Sequence, residues 1–139
     1  MKKTIVANWK MNGMPESAKL WVQDFVTKKL QFPASVDVVV CPPTALIGLL
    51  KDAVAGQNIH LGGQDCHFQL EGAYTGETSA VLLKSLGCEY VIVGHSERRA
   101  NCGETNDIVR QKAVWAIKTG LIPIICIGET SKQREAGKT

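Results

Sequence analysis

Tyr90-Val91-Ile92-Val93-Gly94-His95-Ser96-Glu97-Arg98-Arg99 holds a strand, a turn and the start of a helix in one short run. Successive apolar residues, most of them β-branched, suit a strand covered on both faces rather than on one. Gly94 ends that strand, and Ser96 is a good N-cap for a short helix beginning at Glu97. Similar runs occur at Thr4-Ile5-Val6-Ala7, Val36-Asp37-Val38-Val39-Val40, Ile59-His60-Leu61-Gly62 and Leu121-Ile122-Pro123-Ile124-Ile125-Cys126-Ile127. Their starts fall about 20 to 32 residues apart, the length of a β-α unit.

Helical patterns fill the gaps. Pro15 suits a first helical turn, and Ala18, Trp21, Val22, Phe25 and Val26 follow at three-and-four spacing. Thr44 is placed to cap a helix through Ala55 that stops at Gly56. Thr78 or Ser79 is placed to cap one that stops at Gly87, and Thr105 one that stops at Gly120. In the last, Ile108, Val109, Ala113, Ala116 and Ile117 make the buried stripe. Repeated β-α units with right-handed crossovers leave two architectures: an open doubly wound sheet, or part of a closed barrel. No linker or low-complexity stretch divides residues 1–139, and Thr130 to Thr139 reads as a helix just begun, the mark of a cut.

Composition excludes several classes. The chain has 139 residues, 45% hydrophobic and 21% charged, as a soluble globular protein does. No window approaches the roughly 20 apolar residues of a membrane span, and the apolar run after Lys3 is too short for a signal peptide, so the expected location is the cytosol. The 16 Lys and Arg against 13 Asp and Glu are dispersed, which argues against nucleic-acid binding. The cysteines Cys41, Cys66, Cys88, Cys102 and Cys126 form no C-x-x-C pair and read as free thiols. Cys66 and His67 are adjacent without a second ligand pair, so no metal site is expected. Gly137-Lys138-Thr139 ends like a phosphate-binding loop, but Lys132 stands where the leading glycine belongs.

Two strand ends carry chemistry. Asn8 and Lys10 close the first strand, and period-two alternation places both on one side, with Trp9 on the other. A compact ammonium there suits a phosphorylated or enolate-forming ligand, because it fixes positive charge where negative charge sits or develops. His95 lies beside the amino end of the helix that follows, where backbone N–H groups disfavour imidazolium. A neutral imidazole can donate a hydrogen bond to a carbonyl oxygen, acting as an electrophile rather than a base. The carboxyl ends of parallel strands open on one face, so Lys10 and His95 can meet.

Asn8-Trp9-Lys10-Met11-Asn12, Gly76-Glu77-Thr78-Ser79, Val93-Gly94-His95-Ser96-Glu97-Arg98-Arg99 and Cys126-Ile127-Gly128-Glu129-Thr130, in this order and spacing, resemble the triosephosphate isomerase family from Lys3 to the last residue. The resemblance implies an α/β fold of the (β/α)8 TIM-barrel type, here an incomplete barrel of about five strands. It also implies a homodimer and, in glycolysis and gluconeogenesis, a cofactor-free interconversion of dihydroxyacetone phosphate and glyceraldehyde 3-phosphate. By resemblance the catalytic set is His95, Lys10, Glu97 and Ser96. Lys10 anchors substrate with Asn8 beside it, and His95 polarises the carbonyl, a neutral histidine at a helix amino end for which this family is the standard illustration. Glu97 orients Lys10, and Ser96 touches the resting base. Cys126 packs behind the site. Gln64 and the loop from Cys66 through Gly76 resemble the dimer loop, with Thr75 reaching the partner's Asn8 and Lys10, and Glu77 pairing with Arg98.

A closed barrel of this kind takes about 250 residues, so residues 1–139 correspond to the N-terminal part of one domain. The family's glutamate base, its mobile lid and its glycine-rich phosphate grip lie beyond the matched region. Val114-Trp115-Ala116-Ile117-Lys118-Thr119-Gly120 is similar to the segment after that base, but Gln111-Lys112-Ala113 precedes it, without the tyrosine and glutamate. Without the base no residue removes the carbon-bound proton, so the chain alone is expected to be inactive. Two other readings stand beside this one: a non-catalytic half barrel that self-associates through its open edges, and a flavodoxin-like open sheet that binds a phosphorylated small molecule.

Overall fold

The computed structural model describes residues 3–28 and 32–137. Strands and helices alternate: β1 (Lys3–Asn8), α1 (Pro15–Lys28), β2 (Val36–Cys41), α2 (Thr44–Val54), β3 (His60–Gly63), α3 (Ala80–Ser85), β4 (Tyr90–Val93), α4 (Ser96–Asn101), α5 (Asn106–Lys118), β5 (Ile122–Ile125) and α6 (Ser131–Glu135). The five strands form one sheet in the order β1-β2-β3-β4-β5. All pairs are parallel, with Lys3 opposite Val36, Val39 opposite His60, Gly62 opposite Tyr90 and Tyr90 opposite Ile122. A doubly wound sheet reverses its strand order at a switch point. Here each strand is added on the same side of the last, the progression of a barrel, and the flavodoxin-like reading is overturned.

Period-two alternation sorts the strand side chains onto two faces. Val40, Leu61, Val91 and Val93 join Ala18, Val22, Ile47, Leu50, Leu83 and Val109 of the helices in the larger core. Val39, Cys41, Tyr90 and Ile92 face the other way, packed with Val6, Ile124 and Cys126. The continuous apolar strands are thus explained: both faces are covered. Ile47, Leu50 and Leu83 are fully enclosed, each contributing about 1.5–3 kcal/mol by leaving water. The second face is covered less completely. Ile5 of β1 and Ile122 and Ile125 of β5 stay at least half exposed, on strands that each have one strand neighbour among the described residues.

Local signals set several boundaries. Ser79 and Thr105 accept from the backbone N–H groups of Leu82 and Ile108 at the starts of α3 and α5. Thr130 forms a full capping box with Gln133 at α6. The expected cap at Thr44 is not made: Pro43 occupies the N-cap position of α2 and Thr44 is already helical. Proline fixes φ near −65° and leaves the following residue free to begin the helix. In α5 the buried residues are Val109, Lys112, Ala113 and Ala116. Ile117, expected in the stripe, is exposed, and Val26 of α1 is partly so. All five cysteines are free thiols. Burial pushes the thiols of Cys41 and Cys66 up to about 12 and that of Cys88 up to about 11. No helix among the described residues is long and apolar enough to cross a membrane.

Candidate functional site

The site lies where β1 and β4 end. β1 stops at Asn8, and the chain turns instead of continuing the pleat: Lys10 takes a left-handed backbone, φ 53°. Such a conformation is uncommon outside glycine and persists where surrounding bonds over-determine it. Here the Lys10 N–H donates to Asn8 Oδ1 (2.9 Å), the Asn12 side-chain amide to the Trp9 carbonyl (2.9 Å), and Gln64 Nε2 to the Lys10 carbonyl (2.8 Å). The same Gln64 nitrogen reaches the Cys41 carbonyl (2.9 Å), tying the Lys10 turn to the end of β2. Asn8 and Lys10 therefore meet as expected, but through a tight turn rather than through strand alternation.

At the end of β4, His95 itself is the N-cap of α4, with φ −54° and ψ 142°, and Ser96 is the first helical residue. The expected Ser96 cap is thus displaced by one position. His95 Nδ1 accepts from the Glu97 backbone N–H at 3.2 Å. An accepting nitrogen carries no proton, so the neutral ring bears its N–H on Nε2. Glu97 Oε2 stands 3.6 Å from the same Nδ1, beyond hydrogen-bond range. The other Glu97 oxygen accepts from Lys10 Nζ at 2.6 Å. One short helix therefore presents an imidazole donor and holds the lysine from the opposite strand.

Asn8, Lys10, Gln64, His95, Glu97 and Arg98 line one recess of about 120 Å³. A wider cleft of about 450 Å³ opens on the other side of His95, bounded by Ser96, Arg99 and the segment from Cys126 to Thr130. Arg99 spans its floor, donating to the carbonyls of Gly94 (2.8 Å) and Cys126 (3.3 Å) and to Asn106 Oδ1 (2.8 Å). Cys126 packs against the second apolar cluster rather than facing a base that would activate it. The carboxylates around both recesses are engaged by cations: Glu97 by Lys10, Glu129 by Arg134, and Asp65 by Arg98 and Lys112.

That last group was not foreseen from sequence. Lys112, 3% exposed in its side chain, reaches both Asp65 oxygens (2.8 and 2.7 Å) and Glu104 Oε1 (2.5 Å). Arg98 Nε lies 2.8 Å from Asp65 Oδ2 and 2.5 Å from Glu104 Oε1. Burial opposes ionisation of Glu104, but Lys112 and Arg98 outweigh it and hold the carboxyl below its ordinary value. Arg98 Nε is therefore engaged within its own chain. Glu77 is exposed, near the tip of the loop between β3 and α3. There Thr75-Gly76 forms a turn closed by the Glu77 N–H on the Tyr74 carbonyl (3.0 Å), with Gly76 at φ 89°. His67 stacks on Phe68 and lies tilted against Tyr74, with ring centres 4.3 Å apart in each pair.

The Lys10 hydrogen bond holds the Glu97 carboxyl below the usual carboxylate range. A depressed value stabilises the fold above the ordinary pKa, and that contribution is lost as pH falls through the folded value. Carboxyl-resolved NMR titration is expected to find Glu97 below the ordinary glutamate range and to raise it toward that range in Lys10→Met. An identical midpoint in both proteins would count against the pair.

Comparison with known proteins agrees with this geometry. The family model for triosephosphate isomerase matches residues 3–139. Curated triosephosphate isomerases of Aquifex aeolicus and Carboxydothermus hydrogenoformans are 40% and 46% identical, covering all of this chain and 56% and 55% of their own lengths. The crystal structure of triosephosphate isomerase from Bartonella henselae superposes with a TM-score of 0.89 at 40% identity, over 99% of this chain and 56% of that one. The chain thus spans about half the length of these relatives, as an incomplete barrel of the same type. Its strand order, its Lys10–Glu97–His95 arrangement and these matches together make it a member of the triosephosphate isomerase family.

Proposed function

We propose that this chain supplies the first half of a triosephosphate isomerase acting on dihydroxyacetone phosphate and glyceraldehyde 3-phosphate without a cofactor. It would do so as the N-terminal part of one barrel domain, in a cytoplasmic homodimer that Thr75, Glu77 and Arg98 help to form. The observation that carries this reading is the convergence of Lys10, Glu97 and His95 from two strand ends. Lys10 supplies positive charge toward the substrate oxygens as they gain electron density. The Nε2–H of His95 donates to the carbonyl being polarised, so that an enediolate oxygen is held by a neutral hydrogen-bond donor on that side. Glu97 keeps the lysine in place.

The reaction also needs a carboxylate that takes the carbon-bound proton. Each carboxylate named around the two recesses is bound to a cation, and a base so held has lost its freedom of approach. The Lys10 hydrogen bond lowers Glu97 besides, whereas burial raises Asp65 although Lys112 and Arg98 hold it in place. The chain by itself is therefore inactive. A coupled assay on glyceraldehyde 3-phosphate tests this, first on the purified 139-residue chain, then after joining it to the complementary segment of a relative. Background turnover in the first case and full turnover in the second are expected. Turnover by the chain alone would overturn the assignment of roles.

A second reading rests on the exposed Ile5, Ile122 and Ile125 at the two sheet edges. Strands open on one side invite pairing with another copy, giving a self-associated, non-catalytic half barrel. Sedimentation of the chain alone distinguishes the two: a monomer without the complementary segment removes the second reading.

A further inference from the structure

Four charged side chains from four places in the chain meet beneath the site: Asp65 just after β3, Arg98 in α4, Glu104 before α5, and Lys112 within α5. Buried ion pairs are weak contributors to stability, because desolvation cancels most of the attraction, and apolar replacements are often at least as stable. Glu104 Oε2 adds to the cost, since it is buried with no donor among the described residues. Stability therefore does not account for the group. Its connections do. Asp65 directly follows Gln64, whose side-chain amide holds the Lys10 carbonyl at 2.8 Å and the Cys41 carbonyl at 2.9 Å. Arg98 directly follows Glu97, which binds Lys10 Nζ at 2.6 Å and whose backbone N–H fixes the His95 ring.

We propose that Lys112 is a positioning residue for the site: by clamping Asp65 and Glu104, and through them Arg98, it sets the separation between the Gln64–Lys10 turn and the α4 segment that carries His95 and Glu97. An apolar side chain fills the same space but imposes no fixed angle. Three directed hydrogen bonds from one ammonium do. The functional meaning of that separation rests on the isomerase reading, but the clamp itself is a statement about this chain and is measurable without turnover.

The Lys10–Glu97 contact reports it. In the 139-residue chain the Glu97 carboxyl midpoint is read by NMR for wild type, for Lys10→Met, and for Lys112→Met combined with Glu104→Gln. The double variant removes one charge of each sign, so no excess buried carboxylate is left to unfold the protein. The Glu97 midpoint in the double variant is expected to rise by at least half the shift produced by Lys10→Met, while a packing role alone lowers the melting temperature without moving it. An unchanged midpoint in a folded double variant overturns the proposal. If the double variant does not fold, Lys112→Arg decides: the longer planar guanidinium keeps the charge but moves the carboxylates from the positions that one compact ammonium sets, so a partial rise supports the clamp and no rise overturns it. Because neither readout is catalytic, failure of the clamp and failure of the isomerase assignment show up in different experiments.

Discussion

His95→Ala, in the enzyme reassembled from this chain and its complementary half, is expected to lower kcat by about 10²–10⁴-fold, the usual worth of a positioned proton donor. At 1.36 kcal/mol per decade this corresponds to about 3–5 kcal/mol of transition-state stabilisation. The substitution also removes the helix cap, because His95 Nδ1 satisfies the Glu97 N–H. Losing a cap costs about 1 kcal/mol of stability. The two effects separate in His95→Asn, whose side-chain oxygen can cap α4 while its amide does not reproduce the imidazole. That variant is expected to keep most of the melting temperature and to lose the activity. Both variants retaining kcat within threefold would remove His95 from the chemistry.

Gly94→Ala is expected to be the most disruptive single methyl in the site. Gly94 has φ +69°, a left-handed backbone that costs an L-residue about 1–2 kcal/mol. A Cβ there would also stand 2.7 and 2.8 Å from the two Val109 methyls and 2.9 Å from an Arg99 terminal nitrogen. Val109 is 3% exposed and has nowhere to move. Overpacking of that kind adds about 1–3 kcal/mol. The expected loss, about 2–5 kcal/mol, is a large share of the 5–15 kcal/mol typical of a whole domain. Urea unfolding of the chain measures it, and a loss under about 0.5 kcal/mol would mean that the β4–α5 packing yields more easily than the geometry indicates.

The parts of this fold that could be read from sequence are those written in local pattern. β4 declares itself by unbroken apolar residues, β2 by an apolar run broken only at Asp37, α1 by Pro15, and α5 by Thr105 at one end and Gly120 near the other. Lys10 and His95 were recognisable because each follows such a strand. Two departures, at Ile117 and Lys10, are decided by neighbours distant in sequence, and the cap at Ser96 by the backbone beside it. Spacing alone predicts Ile117 inward, yet Asp65 and Glu104 hold Lys112 inside and Ile117 faces solvent. Lys10 leaves the strand pleat because Gln64, from beyond β3, holds its carbonyl. Ser96 is the better intrinsic cap, but the backbone of His95 already has the conformation that opens the helix. No composition or periodicity signals a buried ion group, since it is assembled from single charges scattered between Asp65 and Lys112.

The one-directional strand order has a consequence for how the molecule comes into being. Each strand pairs with the strand made immediately before it: Lys3 meets Val36 once one helix has intervened, and Tyr90 meets Ile122 after two, α4 and α5. Closing loops of that modest, repeated length keeps the entropy of each step low and nearly equal. Low contact order of this kind favours rapid growth from one end. On a ribosome, where the amino-terminal part emerges first, β1 to β4 can be in place before β5 is synthesised. Lys10 and the turn that shapes it would then be waiting when α4 arrives with Glu97 and His95.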